Sequence, residues 1–138
     1  MLKIQNLCCR ISGFKLENIN LELEEGEYFV LLGESGAGKT VFLETLAGRY
    51  YPNQGAIYFD GREISRLAPE QRQIGFVYQN YELFPHMRVE ENIGFPLKIR
   101  GISPAQIMRQ VAEMMALLHI SALKGRYPQD LSGGERQR

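Results

Sequence analysis

The segment Tyr28-Phe29-Val30-Leu31-Leu32-Gly33-Glu34-Ser35-Gly36-Ala37-Gly38-Lys39-Thr40 decides how the chain is read. Its apolar start, Tyr28 to Leu32, has the length and continuity expected of a strand covered on both faces. Gly33 to Thr40 then fits glycine, four residues, and Gly-Lys-Ser/Thr, the spacing of a loop that holds phosphate. Glycines let successive backbone N–H groups turn inward around an anion. A helix is expected from Lys39 to Ala47, stopped by Gly48, and its start adds unpaired N–H groups and the positive end of its dipole. Lys39 supplies a point charge worth on the order of 4 kcal/mol per unit charge at about 4 Å and an effective dielectric near 20, before desolvation. The Thr40 hydroxyl suits a hard cation such as Mg²⁺.

Outward from this loop, Leu2 to Leu7 and Phe14 to Glu24 read as strands, the second with Ile19, Leu21 and Leu23 on one face. Pro52-Asn53-Gln54-Gly55 is a turn, Ala56 to Phe59 a strand, and Asp60-Gly61 a second turn. Ile74 to Tyr78 is a further short apolar strand, followed by an aromatic-rich connection from Gln79 to Met87. Ser103-Pro104 resembles a cap followed by proline at the first helical position. The helix it opens is expected to reach Leu118, with Ile107, Val111, Met114, Met115 and Leu118 on one face. Those methionines fit either core packing or an adaptable surface.

The chain of 138 residues balances 16 Lys+Arg against 16 Asp+Glu, which is not the basic signature of a general nucleic-acid binder. Its apolar share of 44% is that of an ordinary globular domain. No apolar run approaches the roughly 18 residues of a membrane span, and the N-terminus lacks a secretory pattern. Cys8 and Cys9 are adjacent, closer than a disulfide normally allows, and read as reduced thiols of a cytosolic protein. His86 and His119 form no familiar metal-ligand spacing with them.

A second motif closes the sequence: Leu131-Ser132-Gly133-Gly134-Glu135-Arg136-Gln137-Arg138. Ser132 and Glu135 alone make a capping box that opens a helix. With the Gly33–Thr40 loop, and with Gln79 after the strand at 74–78, the motif resembles the signature of ABC-type ATPases. These are the nucleotide-binding subunits of ATP-driven transporters. The segment Gln79 to Met87 is similar to importer ATPases, nearest to those for molybdate, tungstate and related oxyanions.

The resemblance implies an α/β fold: a P-loop NTPase core of mainly parallel strands, an antiparallel β subdomain from the N-terminal strands and 56–64, and a helical subdomain. The division it suggests is 1–86 for the nucleotide-binding core and 87–138 for the helical part with the signature. It further implies that ATP is held by Gly33, Glu34, Ser35, Gly36, Ala37, Gly38, Lys39, Thr40 and Val41. Lys39 and Gln79 take the catalytic roles, and Thr40 and Gln79 attend Mg²⁺. Ser132, Gly133 and Gly134 contact the nucleotide of a second ATP-binding subunit in a head-to-tail dimer. Transmembrane permease subunits dock on the stretch from Tyr78 to about Gly101 and hold the protein to the inner face of the cell membrane, with no nucleic acid involved. The implied function is to power import of a solute, an oxyanion being the nearest match. The alternative is a module that binds nucleotide without hydrolysing it.

Two departures stand out. The family stacks adenine on an aromatic after its first strand, where this chain has Arg10-Ile11-Ser12-Gly13-Phe14. Phe14 either takes that place or faces the core. The family's Walker B aspartate, catalytic glutamate and switch histidine follow the signature, beyond Arg138. The 138-residue chain is therefore expected to hydrolyse ATP negligibly and to be marginally stable, with a sheet edge and face uncovered.

Overall fold

The computed structural model describes residues 1–11 and 13–138. The chain forms two compact units, Met1–Phe76 and Val77–Arg138, whereas the resemblance suggested a division after residue 86.

In the first unit β1 (Leu2–Ile11), β2 (Phe14–Leu23), β3 (Gln54–Phe59) and β4 (Arg62–Glu63) form one sheet in the order β2-β1-β3-β4. Every pairing is antiparallel, with Ile4 opposite Leu21 on one side and Ile57 on the other. A strict two-residue alternation would turn Ile4 and Leu7 to opposite faces. The register shifts between them, and Asn6 and Asn18 adopt positive φ (48° and 50°), which asparagine tolerates. That irregularity lets Ile4, Leu7 and Cys9 all enter the core. Helix α1 (Lys39–Ala47) supplies Phe42 and Leu46 to the same cluster, with Leu16, Ile57 and Ile64. Gly48 ends the helix at φ 94°, and its N–H bonds the Thr45 carbonyl, as the sequence predicts.

Two sequence expectations fail. Tyr28–Leu32 and Ile74–Tyr78 are not strands. Tyr28 and Leu32 are 90% and 84% exposed, and Val77 is 82% exposed, instead of covered on both faces. A continuous apolar run becomes a buried strand only when neighbouring strands supply ladder partners, and none of the four strands pairs with either segment. Leu31 and Ile74 still pack against the core of the first unit.

The second unit is helical: α2 (Val89–Ile99), α3 (Pro104–Leu117) and the short α4 (Gly133–Gln137). Val89, Val111, Met115, Ile120, Leu123 and Leu131 make its core. On the expected face Met115 is buried but Met114 is 45% exposed, so that face is only partly core. Helix α2 is absent from the sequence reading. Its local signals are Glu90 and Glu91 in the first turn, the Arg88 N–H donating to Glu91 Oε2 at 2.7 Å. Pro96 lies inside it and masks the pattern, because proline removes an N–H from the ladder. Asn92 on α2 fastens the preceding connection. Its Oδ1 accepts from the Phe84 N–H at 2.8 Å, and its Nδ2 donates to the carbonyls of Phe84, Met87 and Arg88.

Candidate nucleotide-binding site

Glycine decides the local shape of the loop before α1. Gly36 and Gly38 have φ of 84° and 88°, a region costly for residues with a side chain. The Ala37 N–H donates to the Glu34 carbonyl at 3.2 Å, closing a turn over Ser35 and Gly36. Gly33 lies close to Ala37: a Cβ there would sit 3.3 Å from the alanine methyl. Gly38 occupies the helix cap with no side chain to satisfy the first turn, and α1 carries no acidic residue there. The N–H groups of Gly36, Gly38, Lys39 and Thr40 consequently make no hydrogen bond among the described residues. Unpaired donors at a helix start, with nothing negative in its first turn, match an anion.

Lys39 arcs back over the loop, its Nζ donating to the Gly33 carbonyl at 2.6 Å and the Glu34 carbonyl at 2.7 Å. It makes no ion pair among the described residues. The ammonium is thus held on the loop by two carbonyls, with no carboxylate to neutralise it among the described residues. Thr40 is exposed, and Val41 follows it on the helix, its carbonyl accepting from Thr45 Oγ1 at 2.7 Å. The donor set fits a triphosphate, and the free Thr40 hydroxyl is compatible with Mg²⁺. Phe14 lies directly on Gly38, where a Cβ would overlap its ring. Phe14 thus packs partly against the core and also borders the loop.

The second motif lies at the other end of the chain. Ser132 caps α4 in a full capping box. Glu135 N–H donates to Ser132 Oγ at 3.3 Å, and Ser132 N–H and Oγ–H both donate to Glu135 Oε2, at 2.7 and 2.6 Å. Gly133 and Gly134 are exposed, with open space where a Cβ would stand. The Ser132 hydroxyl and N–H hold the Glu135 carboxyl below its usual pKa, assisted by Arg126 and Arg138. A carboxylate depressed in the folded state stabilises it above the unfolded pKa, and loses that contribution as pH falls through the lower folded value. Acidification below about pH 4 is therefore expected to fray α4, read as loss of the Glu135 amide resonance position, with Glu135→Gln removing the pH dependence.

Gln79 lies exposed in a turn closed by the Tyr81 N–H on the Tyr78 carbonyl at 3.0 Å. Tyr81 and Glu82 follow at positive φ, 63° and 47°. The loop residues 33–41 belong to the first unit, and Gln79 and Ser132–Gly134 to the second. Sequence reasoning overlooked Arg72, whose side chain is buried behind α1, since nothing in its surroundings along the chain marks it as internal. Among the described residues no His, Cys, Asp or Glu cluster could hold a metal ion, and no helix is long and apolar enough to cross a membrane.

The chain is 46% identical over 138 residues to the molybdate/tungstate import ATP-binding protein of Pyrococcus horikoshii, matching all of this chain and 40% of that protein. It is 42% identical over 139 residues to the spermidine/putrescine import ATP-binding protein of Nitrosospira multiformis, again over its full length and 38% of the relative's. The sulfate/thiosulfate import ATP-binding protein of Caulobacter vibrioides is 45% identical over 127 residues, 89% of this chain and 38% of that protein. The chain thus spans about two fifths of the length of these curated relatives. Among solved structures, the dimeric ATP-binding cassette MJ0796 bound to ADP and Pi superposes with a TM-score of 0.85 at 26% identity, over 99% of this chain and 66% of that one. A second dimeric structure of that bacterial ABC transporter cassette gives the same TM-score at 27% identity, with the same coverage. The family model for ABC transporters matches from residue 16 to residue 138, nearly the whole chain, and the chain belongs to the ABC transporter family.

Proposed function

We propose that this chain is the nucleotide-holding part of an ATP-binding subunit that powers solute import. The single observation behind the reading is the group of unpaired N–H donors at Gly36, Gly38, Lys39 and Thr40, with the Lys39 ammonium beside them. In it Gly33 to Gly38 wrap the phosphates with backbone, Lys39 neutralises the β and γ charges, and Val41 continues the helix whose start faces them. Mg²⁺, when bound, offsets charge on the phosphate oxygens; Thr40 gives it a hydroxyl ligand and Gln79 is its second protein contact. Lys39 and Gln79 hold the terminal phosphate in place.

Ser132, Gly133 and Gly134 serve a second copy of the subunit in a head-to-tail dimer. The Ser132 hydroxyl now donates to Glu135, so contact with a nucleotide requires it to redirect that one proton while Glu135 keeps the Ser132 N–H. The glycines allow phosphate to approach the backbone closely. Permease subunits dock on the stretch from Tyr78 to about Gly101 and keep the protein on the inner, cytoplasmic face of the membrane. An oxyanion such as molybdate or tungstate is the solute proposed, supported by the relatives 44–46% identical that carry that name. Relatives named for spermidine and sulfate are nearly as similar, which fits a shared motor whose solute is chosen by other subunits.

The test is a phosphate series. Calorimetry with Mg²⁺ is expected to rank ATP above ADP, and both well above AMP, by at least tenfold for each step that removes contact with Lys39. Equal affinity for ATP and AMP would reject a site built around phosphate.

A further inference from the structure

Two glycines of the phosphate loop share a positive φ but not their surroundings. A Cβ on Gly36 would meet nothing within 4 Å, whereas one on Gly38 would overlap Cζ and Cε1 of Phe14. The tip of the Phe14 ring therefore rests on the Gly38 backbone. Phe14 opens β2, opposite Ile11 in the last pair of the β1–β2 ladder, and next to Gly13 at φ 85°. It is half-buried and packs against the core of the first unit. Ladder and core together fix where the ring stands, and the ring meets the loop.

Gly38 gains from an outside support. Its carbonyl accepts from the Phe42 N–H at 2.9 Å, in the first turn of α1. Its own N–H makes no hydrogen bond among the described residues, and no side chain caps the helix there. A glycine held so lightly samples both signs of φ, and each excursion reorients the N–H. Fixing it costs conformational entropy, and a loop already fixed spares the ligand that cost. A ring placed where a Cβ would stand restricts Gly38 by sterics alone and leaves its N–H unpaired. Lys39 ties the opposite end of the loop through the carbonyls of Gly33 and Glu34. We propose that Phe14 is a positioning residue for phosphate: its ring holds Gly38 in the conformation whose N–H receives the anion. The inference rests on the triphosphate reading of the loop and adds to it a residue from a strand distant in sequence. The ring acts through Gly38, so its effect is the same for any ligand that presents phosphates, with or without a base.

The experiment compares Mg²⁺-ATP with Mg²⁺-tripolyphosphate, which carries no base, by calorimetry on the full chain and on two variants. Phe14→Leu keeps an apolar side chain at the start of β2 but is too short to reach Gly38. It is expected to weaken both ligands by the same factor, about fivefold, through lost preorganisation. Phe14→Met, unbranched and longer, should stay within about twofold of wild type. Hydrogen-exchange protection of the β1 amides should be equal in all three chains, which separates a misplaced loop from an unfolded sheet. In the wild-type chain without ligand, cross-relaxation between the Phe14 ring protons and the Gly38 α-protons should be present. A loss for ATP alone would make Phe14 a platform for the base and overturn the proposal. Unchanged affinities in Phe14→Leu, or a full loss in Phe14→Met, would overturn it too. So would missing cross-relaxation between ring and glycine, a result that needs no variant to fold. Wild type that binds neither ligand would sink the phosphate reading itself. That failure is distinct from a wild type that binds both and a leucine variant that matches it.

Discussion

Lys39→Ala is expected to weaken ATP binding by roughly 30- to 150-fold while leaving the fold intact. The gross attraction of an ammonium about 4 Å from one phosphate charge is on the order of 4 kcal/mol at an effective dielectric near 20, and desolvation returns part of it, leaving about 2–3 kcal/mol. The local cost of the substitution is small. Lys39 donates only to the carbonyls of Gly33 and Glu34, and both residues are exposed, so water replaces the lost donor. Calorimetric titration of wild type and variant checks the first statement, and unchanged hydrogen exchange in β1 and β3 checks the second. Lys39→Arg should recover only part of the affinity, because a planar fork does not reproduce a compact point charge on this short loop.

Arg72→Met is expected to destabilise the first unit by about 3–5 kcal/mol, the largest stability effect among the side chains described. Arg72 is 1% exposed, yet it has no carboxylate partner among the described residues. Backbone carbonyls compensate it instead. Nη1 donates to Thr45 and Leu46 at 2.8 and 2.9 Å, Nη2 to Ser65 at 2.9 Å, and Nε to Leu67 at 2.9 Å. Thr45 and Leu46 are in the last turn of α1, the negative end of the helix that begins at Lys39. Burial lowers the guanidinium pKa, but an arginine remains charged at any ordinary pH. Methionine keeps much of the volume and leaves the carbonyls of Ser65 and Leu67 without this donor. Protection of the α1 and β3 amides from hydrogen exchange should fall by about two to four orders of magnitude. Protection within tenfold of wild type would show that the carbonyl cage contributes little. Gly48→Ala tests the same contact from the other side, since a Cβ there would stand 2.7 Å from Arg72 Nε and φ is 94°.

Local chemistry was legible in the sequence, and non-local pairing was not. Gly33 to Thr40 announce a loop and a helix start because glycine spacing and helix dipoles act over a few residues, and α1 runs from Lys39 to Ala47 as read. Ser103-Pro104 marks α3 for the same reason. Strand β1 exceeds its expected end at Leu7 and continues to Ile11, because the bulge near Asn6 hides its alternation. Tyr28 to Leu32 carry the pattern of a buried strand, but a pattern states only what a segment can bury, and the ladder depends on partners distant in sequence. Helix α2 was obscured by Pro96, whose local rule is overridden by packing of Val89 and Ile93 in the helical core. Arg72 was invisible because a charged side chain reads as surface unless its partners are known, and here the partners are main-chain carbonyls. Glu90 was invisible for the converse reason: only the folded chain shows that one of its oxygens is buried without a donor among the described residues.

The central claim is that main-chain N–H groups at the start of α1 receive phosphate. Amide ¹⁵N–¹H spectra recorded during titration with Mg²⁺-ATP test it directly. The account predicts that the resonances of Gly36, Gly38, Lys39 and Thr40 move downfield together and saturate at one affinity, and that AMP leaves them in place. Shifts confined to other parts of the chain, or equal displacement by AMP and ATP, would contradict it.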